Sequence, residues 1–361
     1  MPQLKNKTEL NGTLQFTLYD VHHSVANAIR RTILEDIPSV VIKTFPDEMN
    51  QCNITKNTTR FHNEIIKQRL SCIPIYLKPD DKMNLDVLEL HLHKKNTGKT
   101  IEFITTEDFE MTNAGHKVDK HTLKKMFKPF HFKGNDYYID IVKIRPPLSD
   151  NISGEELELT AKLSIGTGKD SGMYNVVSSC HYIFTQDIKE ANRVWESKKD
   201  TFKETEEEIQ LIKKNWYLLD AKRFVIDNSF EFTIESVGIY ENNDIVLMAC
   251  EIIEKQLHEY IEGNNYHYRE NDTTMKNTMD IIFPGGNYTI GKLLEYQFYK
   301  NMFPKILTYV SFFKIHPHST EGILRVSFED ETSEGTLTEY FITVCKLLID
   351  DFDQIYKLFK K

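Results

Sequence analysis

The segment Gly286-Asn287-Tyr288-Thr289-Ile290-Gly291-Lys292-Leu293 has the GxxxxGK spacing of a phosphate-binding loop. In such loops backbone amides wrap the phosphates and the lysine reaches them. It follows a strand-like run and opens a helical one, as that chemistry requires. Two positions oppose it. Leu293 stands where a hydroxyl would hold magnesium, and β-branched Ile290 stands where amides should curl around phosphate. Too few residues follow to complete a nucleotide-binding domain of ~100 residues. The segment therefore reads as structural, with Thr289 capping a helix and Gly291 allowing close packing. Gly166-Thr167-Gly168-Lys169 reads as a tight turn. Asp350-Asp351-Phe352-Asp353 could suggest a carboxylate site for magnesium, but Ile355 holds the place of the third aspartate and the run lies in an amphipathic helix.

The pairs His22-His23, His91/His93 and His316/His318 have no matching cysteine or carboxylate ligands. They read as surface or turn histidines rather than metal ligands. Cys52, Cys72, Cys180, Cys250 and Cys345 are scattered without a CxxC pair. That argues against a disulfide framework and against a cysteine-rich zinc site. No Ser-His-Asp or Cys-His arrangement stands out. Neither a metal nor a cofactor is expected.

Composition narrows the function further. The chain has 361 residues and a formal net charge of −9, without the basic stripe of a nucleic-acid binder. Little direct DNA contact is expected. Met1 to Leu10 is polar, unlike a signal peptide. No apolar run approaches the ~20 residues of a membrane span, so no membrane partner is expected.

The elements that must hold these residues repeat. Ser24-Val25-Ala26-Asn27-Ala28-Ile29-Arg30-Arg31-Thr32-Ile33 and Thr289-Ile290-Gly291-Lys292-Leu293-Leu294-Glu295-Tyr296-Gln297-Phe298 each start with a hydroxyl that can cap a helix. A small residue follows, then apolar residues at helical spacing. Val25, Ile29 and Ile33 make one apolar face, and Ile290, Leu293, Leu294 and Phe298 make the other. Two such units in one chain suggest half-structures that pair through these helices. Arg30 and Arg31 border the first face, where long stems can lie on the core and project charge. Alternating runs at 14–18, 85–92, 100–105, 137–144, 157–165, 174–184 and 224–237 read as strands. Residues 187–215 read as a charged, solvated helical excursion and 245–261 as an amphipathic helix. The polar, Asn- and Gly-bearing stretch that follows reads as a linker. After it come a strand at 279–283, two strands at 309–315 and 322–328, and a long helix from about 336. The last helix carries a continuous apolar stripe that needs a partner, most simply the other half.

Residues 20–42, with Ser-Val-Ala-Asn-Ala-Ile-Arg-Arg followed by Ile37-Pro38, resemble the signature helix of the α-like subunits of multisubunit RNA polymerases. The resemblance continues through His62-Asn63-Glu64, Arg69-Leu70 and Ile73-Pro74, through the strands at 138–184, and through Ile234-Glu235-Ser236-Val237-Gly238. These stretches are similar to the third-largest subunit of the eukaryotic polymerase II type. Residues 279–361, with Thr289-Ile290-Gly291-Lys292-Leu293-Leu294 and His316-Pro317-His318, are similar to its small partner, the eleventh subunit. Lys292 departs from the family's asparagine. Cellular relatives often carry a four-cysteine metal site in the inserted domain, and residues 78–136 hold no cysteine here.

The resemblance implies an α+β fold. A discontinuous dimerisation domain (1–43 and 177–262) is interrupted by an inserted β-rich domain (44–176). A linker (263–278) leads to a second α-like half (279–361), giving an intramolecular pseudo-heterodimer. The implied function is a non-catalytic assembly platform of a DNA-directed RNA polymerase. Its implied partners are the largest and second-largest subunits and small polymerase subunits, with Arg30 and Arg31 facing the second-largest. Such fusions occur in large nucleocytoplasmic DNA viruses, which implies host cytoplasm, viral factories and the virion as locations. The alternatives are a nucleotide-binding enzyme using Gly286 to Lys292, or a generic homodimeric interaction protein.

Overall fold

The protein is described by a computed structural model over residues 1–79, 84–149, 151–199, 205–262, 265–270 and 275–360. Eight α-helices occur among the described residues: α1 (His23–Glu35), α2 (Asn63–Ser71), α3 (Lys120–Met126), α4 (Ile188–Lys199), α5 (Glu206–Leu218), α6 (Asn242–Ile261), α7 (Tyr288–Met302) and α8 (Glu334–Lys360). The chain divides into two compact units. One comprises residues 1–33, 179–235 and 242–361, and the other residues 34–178 and 236–241. Helices and sheets mix throughout, an α+β fold.

The first unit contains the same topology twice. One sheet orders its strands Gln3–Leu10, Thr13–Tyr19, Val225–Ser236, Val177–Gln186; the other orders His267–Glu270, Thr278–Pro284, Glu321–Phe328, Leu307–Phe313. Numbered along the chain, both sheets read 1-2-4-3. In each, one helix follows the second strand (α1 or α7) and another follows the fourth (α6 or α8). The repeated unit is therefore ββαββα. Its first copy also carries α4 and α5 between its third and fourth strands.

Local chemistry explains several of these elements. Asn11 and Gly12 both have positive φ and form the two-residue turn joining the first two antiparallel strands, the geometry that Asn-Gly favours. Leu14, Phe16 and Leu18 are buried, while Gln15 is exposed. Phe16 stacks on Phe232 at 4.9 Å and meets the edge of Phe359 at 4.8 Å, so the end of α8 covers the first sheet. In the α8 stripe, Leu337, Phe341, Val344, Leu348, Phe352 and Ile355 are fully buried, while Leu347 at its edge is exposed. Its main partner is α6, which presents Val246, Cys250, Ile253 and Leu257, all buried.

The second unit centres on a five-stranded antiparallel sheet in the order Cys52–Asn57, Glu156–Lys162, Leu88–Lys95, Glu110–Asn113, His116–Lys117. Alternation at Leu157, Leu159 and Ala161 drives one face into a core with Ile66, Leu70, Leu90, Leu92 and Met111. Three two-stranded ribbons complete it: Glu102–Thr105 with Asp140–Ile144, Phe130–Phe132 with Asn135–Tyr137, and Pro38–Val41 with Ser164–Thr167.

Several expectations need correction. Residues 3–10, about whose secondary structure nothing was expected, add an edge strand, which needs no apolar face because it is exposed along most of its length. The expected linker holds the strand His267–Glu270, which pairs with 279–282; positions 263–264 and 271–274 lie outside the described residues. The excursion at 187–215 is not wholly solvated, since Ala191, Trp195, Trp216 and Ala221 make a small core of their own. Gly166 and Thr167 lie in a strand rather than a loop. A Cβ at Gly168 would stand 2.2 Å from the Leu34 carbonyl oxygen, so this glycine serves backbone packing.

Candidate functional site

The two copies of the helix signature begin in the same way. The His22 Nδ1 accepts the Ser24 N–H at 3.3 Å and lies 2.9 Å from the Ser24 hydroxyl. The Asn287 Oδ1 accepts the Thr289 and Ile290 N–H groups at 3.0 and 3.1 Å. Each helix therefore has its side-chain acceptor at the residue before its first turn, and Ser24 and Thr289 are second residues of their helices. Thr289 is not the cap; Asn287 is, because its acceptor sits at the non-helical position from which it reaches two free amides. Burial then runs in step. Val25, Ala26, Ala28, Ile29, Thr32 and Ile33 are buried in α1, and Ile290, Gly291, Leu293, Leu294, Gln297 and Phe298 at matching places in α7.

Freed from capping, the Thr289 hydroxyl accepts a hydrogen bond from Arg31 Nε at 2.8 Å. In the reverse direction Tyr296, the α7 counterpart of Arg31, stacks flat on His22 at 3.5 Å and 1°. Each helix thus uses the same position to reach the other helix's N-terminus, the reciprocal pattern of a two-fold interface. A cleft of about 440 Å³ lies between these ends, bordered by His23, Asn27, Tyr288, Lys292 and Glu295. Burial pulls the His22 pKa down to about 4, with His23 and Lys300 adding to the effect. The ring is therefore neutral at pH 7, as an Nδ1 that accepts a backbone N–H must be. Burial also raises the Tyr296 phenol, with a smaller contribution from Asp351.

Gly291 is where α7 closes on its sheet. A Cβ there would lie 2.4 Å from ring atoms of Phe312, and one at Gly322 would lie 2.5 Å from the same ring's Cζ. The Phe312 ring therefore packs directly against both glycines. Lys292 Nζ donates to Glu295 Oε2 at 2.6 Å on its own helix, and that carboxylate also accepts the Phe312 N–H. The GxxxxGK spacing is thus a packing motif.

The residues singled out from sequence fall as follows. Val25, Ile29, Ile33, Ile290, Leu293, Leu294 and Phe298 are all buried. Arg30 donates from Nε and Nη2 to Asn27 Oδ1 at 3.0 and 2.9 Å and stays half-exposed beside Arg31. The 350–353 acidic run lies on α8, with Phe352 buried, Gln354 donating to Asp350, and Lys357 paired with Asp353. His93 pairs with Glu156 at 2.9 Å, and His316 Nδ1 accepts the His318 N–H in its turn. Among the described residues no group of three or more His, Cys, Asp or Glu is placed to hold a metal ion. Cys250 and Cys345 are sealed within α6 and α8, and burial pushes both thiols up, Cys345 to about 12, which leaves them unreactive. His22, Tyr296, Asn287 and Phe312 were not singled out from sequence in these roles. Extending both signatures toward the N-terminus as far as the residue before each helix brings His22 and Asn287 opposite each other.

The family described as the RNA polymerase Rpb3/Rpb11 dimerisation domain matches residues 15–257. The DNA-directed RNA polymerase subunit Rpo3 of Pyrococcus furiosus is 24% identical over 277 residues, spanning 72% of this chain and 95% of its own length. The DNA-directed RNA polymerases IV and V subunit 3B of Arabidopsis thaliana is 22% identical over 300 residues, spanning 71% and 89%. The DNA-directed RNA polymerases I and III subunit RPAC1 of Homo sapiens is 22% identical over 193 residues, spanning 49% and 52%.

Proposed function

The chain belongs to the RNA polymerase Rpb3/Rpb11 dimerisation-domain family, and from that premise we propose that it is a non-catalytic assembly subunit of a DNA-directed RNA polymerase. The observation that carries the reading is the doubled ββαββα unit with reciprocal helix contacts. The family match ends at residue 257, yet the same topology recurs after it. We read the chain as two α-like halves fused in one polypeptide, a third-largest-type half followed by an eleventh-type half. Fusion sets the effective concentration of the halves at ~mM or above without a new contact. In this reading residues 1–43 and 177–262 form the first dimerisation half, 44–176 the insertion and 279–361 the second half. The paired halves act as the platform on which the largest and second-largest subunits gather, joined by small polymerase subunits. A viral source, with the viral factory and the virion as locations, is part of the same proposal.

Arg30 and Arg31 are the proposed contacts to the second-largest subunit. Arg31 also holds Thr289, so it would serve the internal pairing and the external contact together. The test is affinity purification of the tagged chain from its native source. The two largest polymerase subunits should co-purify in stoichiometric yield. Replacing Arg30 and Arg31 together by Ala should weaken that association more than tenfold, since truncating buried charged interface groups costs about 2–5 kcal/mol. Purification of the wild-type chain without either large subunit would end the reading.

A further inference from the structure

A groove of about 460 Å³ in the second unit combines an apolar floor with a cationic rim. Its floor includes Ile101 and Phe103, which remain 56% and 40% exposed, and half-buried Phe61. Large apolar side chains left this open around a concave site mark an interaction surface. Its rim carries Arg60, Arg69, Lys143 and Arg145 against one lining carboxylate, Asp140. Arg145 is neutralised from behind by buried Glu155, whose Oε1 accepts from Nε at 2.6 Å. The other three cations are not neutralised in this way. Arg69 Nη2 donates to the Asp140 backbone carbonyl at 2.7 Å and its guanidinium lies 5.8 Å from the Phe61 ring centre. Lys143 lies 5.1 Å from the Phe103 ring centre. Arg60 is exposed and has no hydrogen-bond or carboxylate partner among the described residues. Aromatic and aliphatic surface is thus bracketed by positive charge, in a chain whose net charge is −9.

We propose that this groove docks an acidic peptide segment of a partner protein, with one aromatic or large aliphatic side chain on the floor and flanking carboxylates on Arg60, Arg69 and Lys143. Guanidinium forks pair with carboxylates in two parallel hydrogen bonds, and the cavity is of the size that takes one or two side chains. Charge complementarity selects the occupant. The two rings of the floor, Phe61 and Phe103, each already carry a cation, Arg69 and Lys143, near the ring centre, and the cations ring a pocket rather than tracking a phosphate backbone. The proposal goes beyond the polymerase reading, which is tested by co-purification of the large subunits, so either can fail alone.

The test is fluorescence anisotropy on the full chain with three labelled probes: a nonapeptide of Glu and Asp around a central Phe, the same peptide with Gln and Asn in place of the acids, and a ten-nucleotide oligothymidylate. The acidic peptide should bind saturably and the neutral one at least tenfold more weakly. Arg60→Glu combined with Lys143→Glu should weaken the acidic peptide at least tenfold with an unchanged circular dichroism spectrum. Both sites are exposed, so the fold should tolerate the change; Phe103→Ser provides an independent variant that should also weaken binding. No saturable binding of the acidic peptide, equal binding of the neutral one, or full binding by either variant would overturn the proposal. Binding of the oligonucleotide in place of the acidic peptide would assign the groove to nucleic acid instead.

Discussion

Arg31 and Thr289 are 258 residues apart in sequence and joined by a 2.8 Å hydrogen bond. The bond runs from one copy of the repeat to the first turn of the other, and a hydroxyl at the second helical position is free to accept it because Asn287 does the capping. A net contribution of about 1.5–3 kcal/mol is typical when one partner is charged. Thr289→Val, which keeps the shape and removes the acceptor, should destabilise the chain by about 1–2 kcal/mol in urea unfolding. Arg31→Ala should cost more, because its stem packing is lost as well. A double-mutant cycle should return a coupling of the order of the single Thr289→Val effect. Strict additivity would remove this bond from the list of contacts that join the two copies of the repeat.

Gly291 and Phe312 define the second prediction. Alanine is the better helix former by about 1 kcal/mol, so on propensity alone Gly291→Ala should stabilise α7. The added Cβ would meet the Phe312 ring at 2.4 Å, inside the distance at which carbon atoms can stand. Overpacking costs about 1–3 kcal/mol or more and should win, giving a net loss measurable as a lower melting temperature. Combining Gly291→Ala with Phe312→Leu should recover part of it. A stabilised single variant would show that the ring can move aside.

These two contacts also show how far the sequence could be read. The apolar face of Val25, Ile29 and Ile33, and that of Ile290, Leu293, Leu294 and Phe298, follow from helical spacing alone, and all seven are buried. The cap at Asn287 was obscured by Thr289, an equally good capping type two positions later; residue type cannot say which of the two has the non-helical backbone. The edge strand 3–10 lacks an apolar face and was missed; Asn11-Gly12, a two-residue turn signal that needs no burial, is the local feature that could have revealed its hairpin. His267–Glu270 had no such signal, since three polar residues and Tyr268 pair with 279–282 through backbone groups that every sequence possesses. The stacking of Tyr296 on His22, and the pairing of α6 with α8, join residues far apart in the chain. No local pattern encodes such distances.

Lys292 should be dispensable. Its ammonium pairs with Glu295 one turn on, with side chains 43% and 25% exposed, and pairs of this kind contribute about 0–1 kcal/mol. Lys292→Ala should lower stability by no more than about 0.5 kcal/mol, and calorimetry should detect no ATP binding by either form. Micromolar ATP binding abolished by the substitution would restore the nucleotide-binding alternative.

His22 gives the contact between the two copies of the repeat a dependence on pH. Its Nδ1 must stay unprotonated to accept the Ser24 N–H, and a cation at a helix N-terminus is opposed by the helix dipole. The groups around it are His23 beside it, Tyr296 and Lys300 from α7, and Asp351 of α8 acting on Tyr296. The folded pKa is about 4 against an ordinary 6.5, so between these values the unfolded chain binds more protons than the folded one. Stability therefore rises with pH across that window. This contribution is complete above about pH 6.5 and is lost as pH falls toward 4. The urea midpoint should accordingly be lower at pH 5 than at pH 7.5. His22→Asn supplies a cap that does not titrate, as Asn287 does for α7, but removes the stack on Tyr296, a loss of about 0.5–1.5 kcal/mol. The variant should be less stable at pH 7.5 but flatter between pH 4 and 6.5. An unchanged slope would assign the pH dependence to other groups and leave His22 with a packing role alone.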